Sequence, residues 1–261
     1  MNKQIEVITT KPSRVSVPQR SRKRTITRAD WLVPAGLILL TTIPALGGVL
    51  GLVGFATGAA LTPDDTQFHN LPLPIVLHIV SALPFCLLGA FQFAPGVRRS
   101  FPGFHRLAGR LVVLCGLTAG LSGLWMTQFI LFSLPSQSML LYGFRMLFGS
   151  AMVLSLVLGL VAILRRNVAQ HRAWIMRGYA IGQGAGTQAL TALIWMLIFG
   201  TLGEPYKDLL MGASWVINLA VVEWLIHRKR SKRHSLLSGV QRGTSLALPT
   251  ILYVKKKEML P

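Results

Sequence analysis

Residues 139–164 read MLLYGFRMLFGSAMVLSLVLGLVAIL, and two arginines, Arg165 and Arg166, follow at once. Apart from Arg145, the run carries no charge. It is long enough to cross roughly 30 Å of hydrocarbon as an α-helix. Lipid offers the backbone no hydrogen-bond partners, so a spanning segment must pair its own amides and carbonyls. The stretch is therefore predicted to be a transmembrane helix that ends at a cationic loop.

Further apolar runs of this kind occur elsewhere along the chain, at Leu32–Thr57, Pro74–Ala94, Leu111–Ser133, Gly178–Gly200 and Leu209–Ile226. The composition agrees, because 52% of the residues are hydrophobic and 13% are charged, whereas soluble domains carry about 25% charge. The sequence predicts an all-α integral membrane protein, a bundle of six transmembrane helices.

Positive charge is distributed unevenly between the two sides of these spans. All but two of the 27 lysines and arginines lie in the terminal segments or in the second and fourth loops. The exceptions are Arg145, inside a span, and Lys207, in the last loop. Because cationic loops stay in the cytoplasm, both termini are predicted to be cytoplasmic.

The chain is divided by composition into three parts. Residues 1–30 are predicted to be a disordered basic cytoplasmic tail, residues 31–226 the six-helix membrane domain, and residues 227–261 a second basic tail. The first span is expected to be an uncleaved anchor rather than a secretory signal. The net charge of +19 follows the topology and comes with no recognition motif, so we expect no nucleic-acid partner. The bilayer itself, and anionic lipid headgroups at the tails, are the expected partners.

Polar groups inside the predicted spans are costly in lipid and are therefore candidate functional residues. Toward the outer face lie His78 in the second span and Arg145 in the fourth. The guanidinium of Arg145 keeps its proton, so it needs an acid, backbone carbonyls, water or an anionic ligand. The alternative is that Arg145 reaches the outer interface and pairs with Asp64 or Asp65.

Toward the inner face, two histidines lie at one depth on two parallel helices. His105 precedes the third span, and His171 leads into the fifth, with Asn167 as a predicted N-cap. Such a pair is suited to hold a haem b iron from both sides, or to ligate another metal. The alternative is that both histidines only contact headgroups and loop carbonyls. Because both interpretations stay open, no metal site is assigned.

Other residues near the inner face have two interpretations each. Gly182 and Gly186 belong to a stripe with four-residue spacing, which indicates close helix packing or clearance for a flat porphyrin or quinone. Gln92 lies at the same level. Glu223 is expected to pair with Arg177 or another loop arginine, and a role in proton relay is the alternative.

The residues of the second, third, fifth and sixth spans resemble a known family, the predicted bacterial membrane proteins of domain-of-unknown-function family 2306. The similarity covers roughly residues 70–226 and is carried by His78-Ile79, Gly89, Phe91-Gln92-Phe93, Arg98, His105-Arg106, Gly109-Arg110, His171-Arg172-Ala173-Trp174, Arg177, Tyr179-Ala180, Trp215, Asn218 and Glu223. The resemblance implies a multi-pass protein of the bacterial inner membrane and no established reaction.

A looser similarity links the chain to transmembrane b-type cytochromes. Those proteins hold two haems between histidine pairs near each membrane face, and this chain offers one such pair, His105 and His171. On the outer side His78 has no histidine partner within a span, so a one-haem or haem-free protein is expected.

The sequence names no catalytic residue. It contains no phosphate-binding loop, dinucleotide glycine fingerprint or metalloprotease histidine motif. Three functions stay open: a membrane protein of unknown role, a haem- or quinone-binding electron-transfer protein, and a small transporter or sensor that uses His78 and Arg145. Electron transfer is the single enzyme-like class with sequence support.

Overall fold

A computed structural model describes the backbone of residues 29–58, 72–130, 138–201, 203 and 206–245, with side chains from Trp31 to Arg228. Within these residues the chain is helical and contains no β-strand. Eight helices are described: α1 Ala29–Thr57, α2 Pro72–Gln92, α3 Pro95–Ser100, α4 Pro102–Phe129, α5 Met139–Leu164, α6 Val168–Gly182, α7 Gly184–Phe199 and α8 Tyr206–Ser245.

The prediction of a multi-spanning helical membrane protein is confirmed. Five of the described helices are long and apolar enough to cross a membrane, and six spans result if α6 and α7, which are bent by 44° at their junction, are counted together as one. Large apolar side chains cover the outside of the bundle, among them Leu39 at 74% exposure and Leu197 at 75%. Such a surface would be unfavourable in water, but it matches a lipid surround.

Three helix bounds differ from the predicted ones by more than a few residues. The third span begins at Pro102 rather than Leu111, because proline suits the first helical turn. The last span continues as helix to Ser245 instead of ending at Ile226. The predicted fifth span is preceded by extra helical turns from Val168, with the side chain of Asn167 capping the amide of Gln170 as expected.

Consecutive helices pack against each other, most extensively α2 on α4 and α5 on α6. The bundle is closed by α1 against α7 and by α8 against α5 and α6. Its centre is an apolar cluster that includes Phe85, Val112, Met152 and Leu156. Because successive spans run in opposite directions, the bundle has two ends. The helices α2, α5 and α8 begin at the end that contains Asp208, which we call the Asp208 end. The helices α4 and α6 begin at the other end, which contains Arg98, Arg106, Arg165 and Arg172 and which we call the arginine-rich end.

Some predictions concern residues outside the described part of the chain. These are most of the basic tails, namely residues 1–28 and the segment after Ser245, together with the loop acids Asp64 and Asp65. The proposed pairing of Arg145 with either loop acid therefore stays a prediction.

Candidate functional site

A cavity of about 410 Å³ lies at the centre of the bundle, between all the long helices. Most of its lining is apolar, supplied by residues such as Ile79, Met152 and Trp215. The polar side chains on its wall are few, and the described ones are Thr41, His78, Thr127, Arg145, Gln183 and Gln188. The cavity therefore brings together His78 and Arg145, the two outer residues that sequence reasoning singled out.

His78 is held in one orientation by the neighbouring helix. Its Nδ1 lies 2.9 Å from the carbonyl oxygen of Ala119 on α4. A carbonyl can only accept, so Nδ1 must donate and carries the ring hydrogen. In the neutral imidazole Nε2 then has the lone pair, and Nε2 has no partner among the described residues. His78 thus offers the cavity a hydrogen-bond acceptor.

Arg145 contributes a cation to the same wall and interacts electrostatically with Asp208 at the start of α8. Asp208 is only 3% exposed, and one of its carboxylate oxygens accepts a hydrogen bond from the hydroxyl of Ser138. The Ser138 hydroxyl in turn caps α5 at Leu141. The hydrogen bond from Ser138 to Asp208 therefore links the start of α5 to the start of α8, and the same carboxylate attracts Arg145.

Sequence reasoning missed the role of Asp208, because an acid beside a loop resembles a solvated surface residue. One signal was available. Asp208 falls in the first turn of α8, where the positive end of the helix dipole stabilises a carboxylate. An acid at that position lies at the same end of the bundle as Arg145 and attracts its guanidinium.

The break between α6 and α7 borders the cavity and is fixed by buried hydrogen bonds. The Tyr179 hydroxyl donates to the carbonyl of Cys86 at 2.7 Å and accepts from Nε2 of Gln183 at 2.7 Å. Oε1 of Gln183 lies 3.1 Å from the hydroxyl of Thr41 on α1. At the next residue, Gly184, any side chain would overlap the Trp215 indole. The break thus ties α1, α2, α6 and α8 together.

Asn218 on α8 makes a second tie at this level. Its side-chain amide donates to the carbonyl of Ala180 at 3.0 Å, and its Oδ1 accepts from the hydroxyl of Thr187 at 2.8 Å. These bonds connect α8 to both halves of the bent span, so the bend is a packed structural element.

The glycine stripe is in close contact with its neighbours. A Cβ at Gly186 would overlap the backbone carbonyl of Leu40, and one at Gly182 would overlap the ring of Phe85. Both glycines also border the cavity. Close packing is therefore observed, and clearance for a flat ligand stays a prediction.

His105 and His171 lie at the arginine-rich end, close enough to interact electrostatically. Nδ1 of His171 is 2.8 Å from the carbonyl of Gly159, whereas the buried Nδ1 of His105 has no partner in the described part of the chain. Gln92 lies beside the backbone of α4: a Cβ atom added to Gly109 would be 3.5 Å from Oε1 of Gln92.

A haem between these histidines stays a prediction. A histidine that donates Nδ1–H to a carbonyl leaves Nε2 free to ligate a metal, and His171 has this arrangement. In the described part of the chain, no group of three or more His, Cys, Asp or Glu side chains is positioned to hold a metal ion.

The expected pairing of Glu223 is confirmed. Nε of Arg177 lies 2.5 Å from Oε1 of Glu223, and Nη2 lies 3.0 Å from Oε2. The guanidinium of Arg177 also stacks on the ring of Trp174, 4.6 Å from its centroid. This two-point ion pair locks α6 to α8 on the arginine-rich side of the break.

Comparison with known proteins gives one informative match. The family described as "Predicted membrane protein (DUF2306)" matches residues 75–226, which cover α2 to the spanning part of α8. Neither the curated proteins nor the solved structures contain a match to this chain. The matched segment holds His78, Arg145 and both inner histidines, and it is more than half of the chain. The chain therefore belongs to the DUF2306 family of predicted membrane proteins, whose function is unknown.

Proposed function

We propose that this chain binds a small, neutral, lipid-soluble molecule of the quinone class in its central cavity, with the polar ring between His78 and Arg145. The observation that carries the proposal is the cavity itself: apolar walls, with an acceptor and a cationic donor among its few polar groups. Sequence reasoning left a quinone open but set it near His105 and His171.

The size and lining of the cavity support a ligand of this kind. A volume of about 410 Å³ falls within the roughly 300–1,000 Å³ of small-molecule sites, which are mostly apolar with a few polar groups that fix orientation. A quinone ring with part of its apolar tail has the same character. Its oxygens accept from a guanidinium, and the hydroxyls of the reduced form donate to a neutral imidazole.

The charge balance favours a neutral ligand over a transported anion. The buried carboxylate of Asp208 attracts Arg145, so a negative charge already acts on the guanidinium. An anion would have to enter a low-dielectric site beside a carboxylate, where like charges repel strongly. A carbonyl oxygen accepts a hydrogen bond from Arg145 without that penalty.

Binding is tested with decylubiquinone as the probe, using quenching of tryptophan fluorescence, since Trp215 borders the cavity. Ala82 also lines the cavity, while Val80 on the same helix is 55% exposed on the outside. We expect Ala82→Phe to weaken saturable quenching roughly tenfold or more by filling the site, and Val80→Phe to leave it unchanged. Equal quenching in both variants, or quenching that never saturates, would overturn the proposal.

We further propose that the protein resides in the bacterial inner membrane with both termini in the cytoplasm. The asymmetry of lysine and arginine between the loops supports this orientation. Green fluorescent protein fused after Pro261 should fluoresce, and alkaline phosphatase fused at the same point should be inactive. Active phosphatase there would contradict the orientation.

A further inference from the structure

Four basic side chains from three helices converge at the arginine-rich end. They are Arg98 on α3, His105 on α4, and His171 and Arg172 on α6. Arg98 interacts electrostatically with both His105 and Arg172, and His105 also interacts with His171. We call these four residues the basic cluster. Arg98 and Arg172 are permanently cationic and repel each other, and a proton on either histidine would add to this repulsion.

No carboxylate among the described side chains offsets this repulsion. The acids with described side chains are Asp208 and Glu223. Asp208 lies at the opposite end. Glu223 forms an ion pair with Arg177, and its Oε2 lies 3.7 Å from Nε2 of His227. The guanidinium groups of Arg98 and Arg172 make no hydrogen bond or ion pair with another described residue. Across the described part of the chain, the cluster is therefore left with uncompensated positive charge.

Two further features of this end favour an anion. The buried Nδ1 of His105 has no partner in the described residues. The helices α4 and α6 both begin here, and neither has an acidic residue in its first turn. The start of a helix is its positive end and a frequent site for phosphate. Helix ends and side chains thus contribute charge of the same sign.

We infer that the basic cluster binds a phosphate group, carried by an anionic membrane lipid. Arginine guanidiniums present paired N–H donors that fit phosphate oxygens, and a dianionic or monoanionic phosphate supplies the charge that the cluster lacks. The lipid source follows from the surroundings: Phe101, Phe104 and Leu107 beside the cluster are 58%, 46% and 60% exposed. Apolar side chains exposed next to a cationic site mark the boundary between acyl chains and headgroups.

The test compares lipid binding to the purified full chain by native mass spectrometry, with phosphatidate and phosphatidylcholine as probes. The double variant Arg98→Gln/Arg172→Gln removes two cluster charges. The control Arg106→Gln/Arg165→Gln removes two charges from exposed arginines at the same end. All four side chains are exposed, so folding should be kept, and melting followed by circular dichroism checks this.

We expect the wild type and the control to bind phosphatidate roughly tenfold more tightly than phosphatidylcholine, and the cluster variant to lose this preference. The variant His105→Gln, which keeps both arginines, should weaken the preference less. A second arm titrates the wild type with inorganic phosphate. Binding that the cluster variant abolishes would support the same site while assigning it to a soluble phosphate. Equal loss in the cluster and control variants, or no preference in the wild type, would overturn the inference.

Discussion

At the Asp208 end a buried carboxylate attracts Arg145 in the wall of the cavity, whereas at the arginine-rich end the exposed Arg98 and Arg172 repel each other. Both ends use arginine, but burial decides how the charge is met. Inside the bundle, the positive charge of an arginine must be stabilised by acidic or polar groups of the protein, because a desolvated charge is costly. At the membrane boundary, water and lipid headgroups can stabilise the positive charge, so the protein does not need to supply a carboxylate there.

The largest expected effect comes from the buried end. Asp208→Asn removes the carboxylate that interacts with Arg145 and weakens the hydrogen bond from Ser138. We expect the free energy of unfolding to fall by about 3 kcal/mol, since a buried carboxylate that accepts from Ser138 and attracts Arg145 is lost. Denaturant unfolding in detergent micelles measures this. The double variant Asp208→Asn/Arg145→Gln should recover part of the loss, and a double variant no more stable than Asp208→Asn would contradict the pairing.

Between the two ends, the cavity wall itself tolerates little added volume. In Gly186→Ala the new methyl group would overlap the carbonyl of Leu40, which cannot move without shifting α1. We expect a loss of about 2 kcal/mol from overpacking. Gly36→Ala on α1 is the matched control, because nothing lies within 4 Å of its Cβ position. Similar melting temperatures for the two variants would show that α1 and α7 do not pack as described.

A smaller loss is expected for the ion pair at the arginine-rich side of the break. Glu223→Gln keeps the shape of the side chain but removes its charge, and both partners retain partial exposure, 25% for Arg177 and 36% for Glu223. The loss in unfolding free energy should be about 1 kcal/mol, below that of Asp208→Asn. A double-mutant cycle with Arg177→Gln measures the coupling. Coupling as large as that of Asp208 with Arg145 would remove the distinction between the two ends.

The smallest effect has the opposite sign. Arg172→Gln relieves repulsion from Arg98, so in micelles of neutral detergent it should leave stability unchanged or raise it by a few tenths of a kcal/mol. Thermal melts with and without added phosphatidate sharpen this prediction, because bound lipid should stabilise the wild type more than the variant. A clear destabilisation in neutral detergent would indicate that Arg172 has a structural partner.

Hydropathy was sufficient to predict the spans, residue type to predict the N-cap at Asn167, and charge to predict the pairing of Glu223 with an arginine such as Arg177. Each of these depends on local composition or on two residues at one membrane depth. The break at Gln183 was not predicted, because it depends on Trp215 filling the space beside Gly184. Likewise, the cavity is a volume left between helices remote in sequence, and no local pattern encodes it. His78 and Arg145 were identifiable as unusual residues, but their common cavity was not.

Photoaffinity labelling with an azido-quinone tests the central claim most directly, since it reports where the ligand rests rather than how tightly it binds. We expect label on the peptides of α2 and α5 that contain His78 and Arg145, and we expect decylubiquinone to prevent this labelling. Label confined to lipid-facing positions such as Leu39 and Leu197, or unaffected by the competitor, would contradict a quinone site in the cavity.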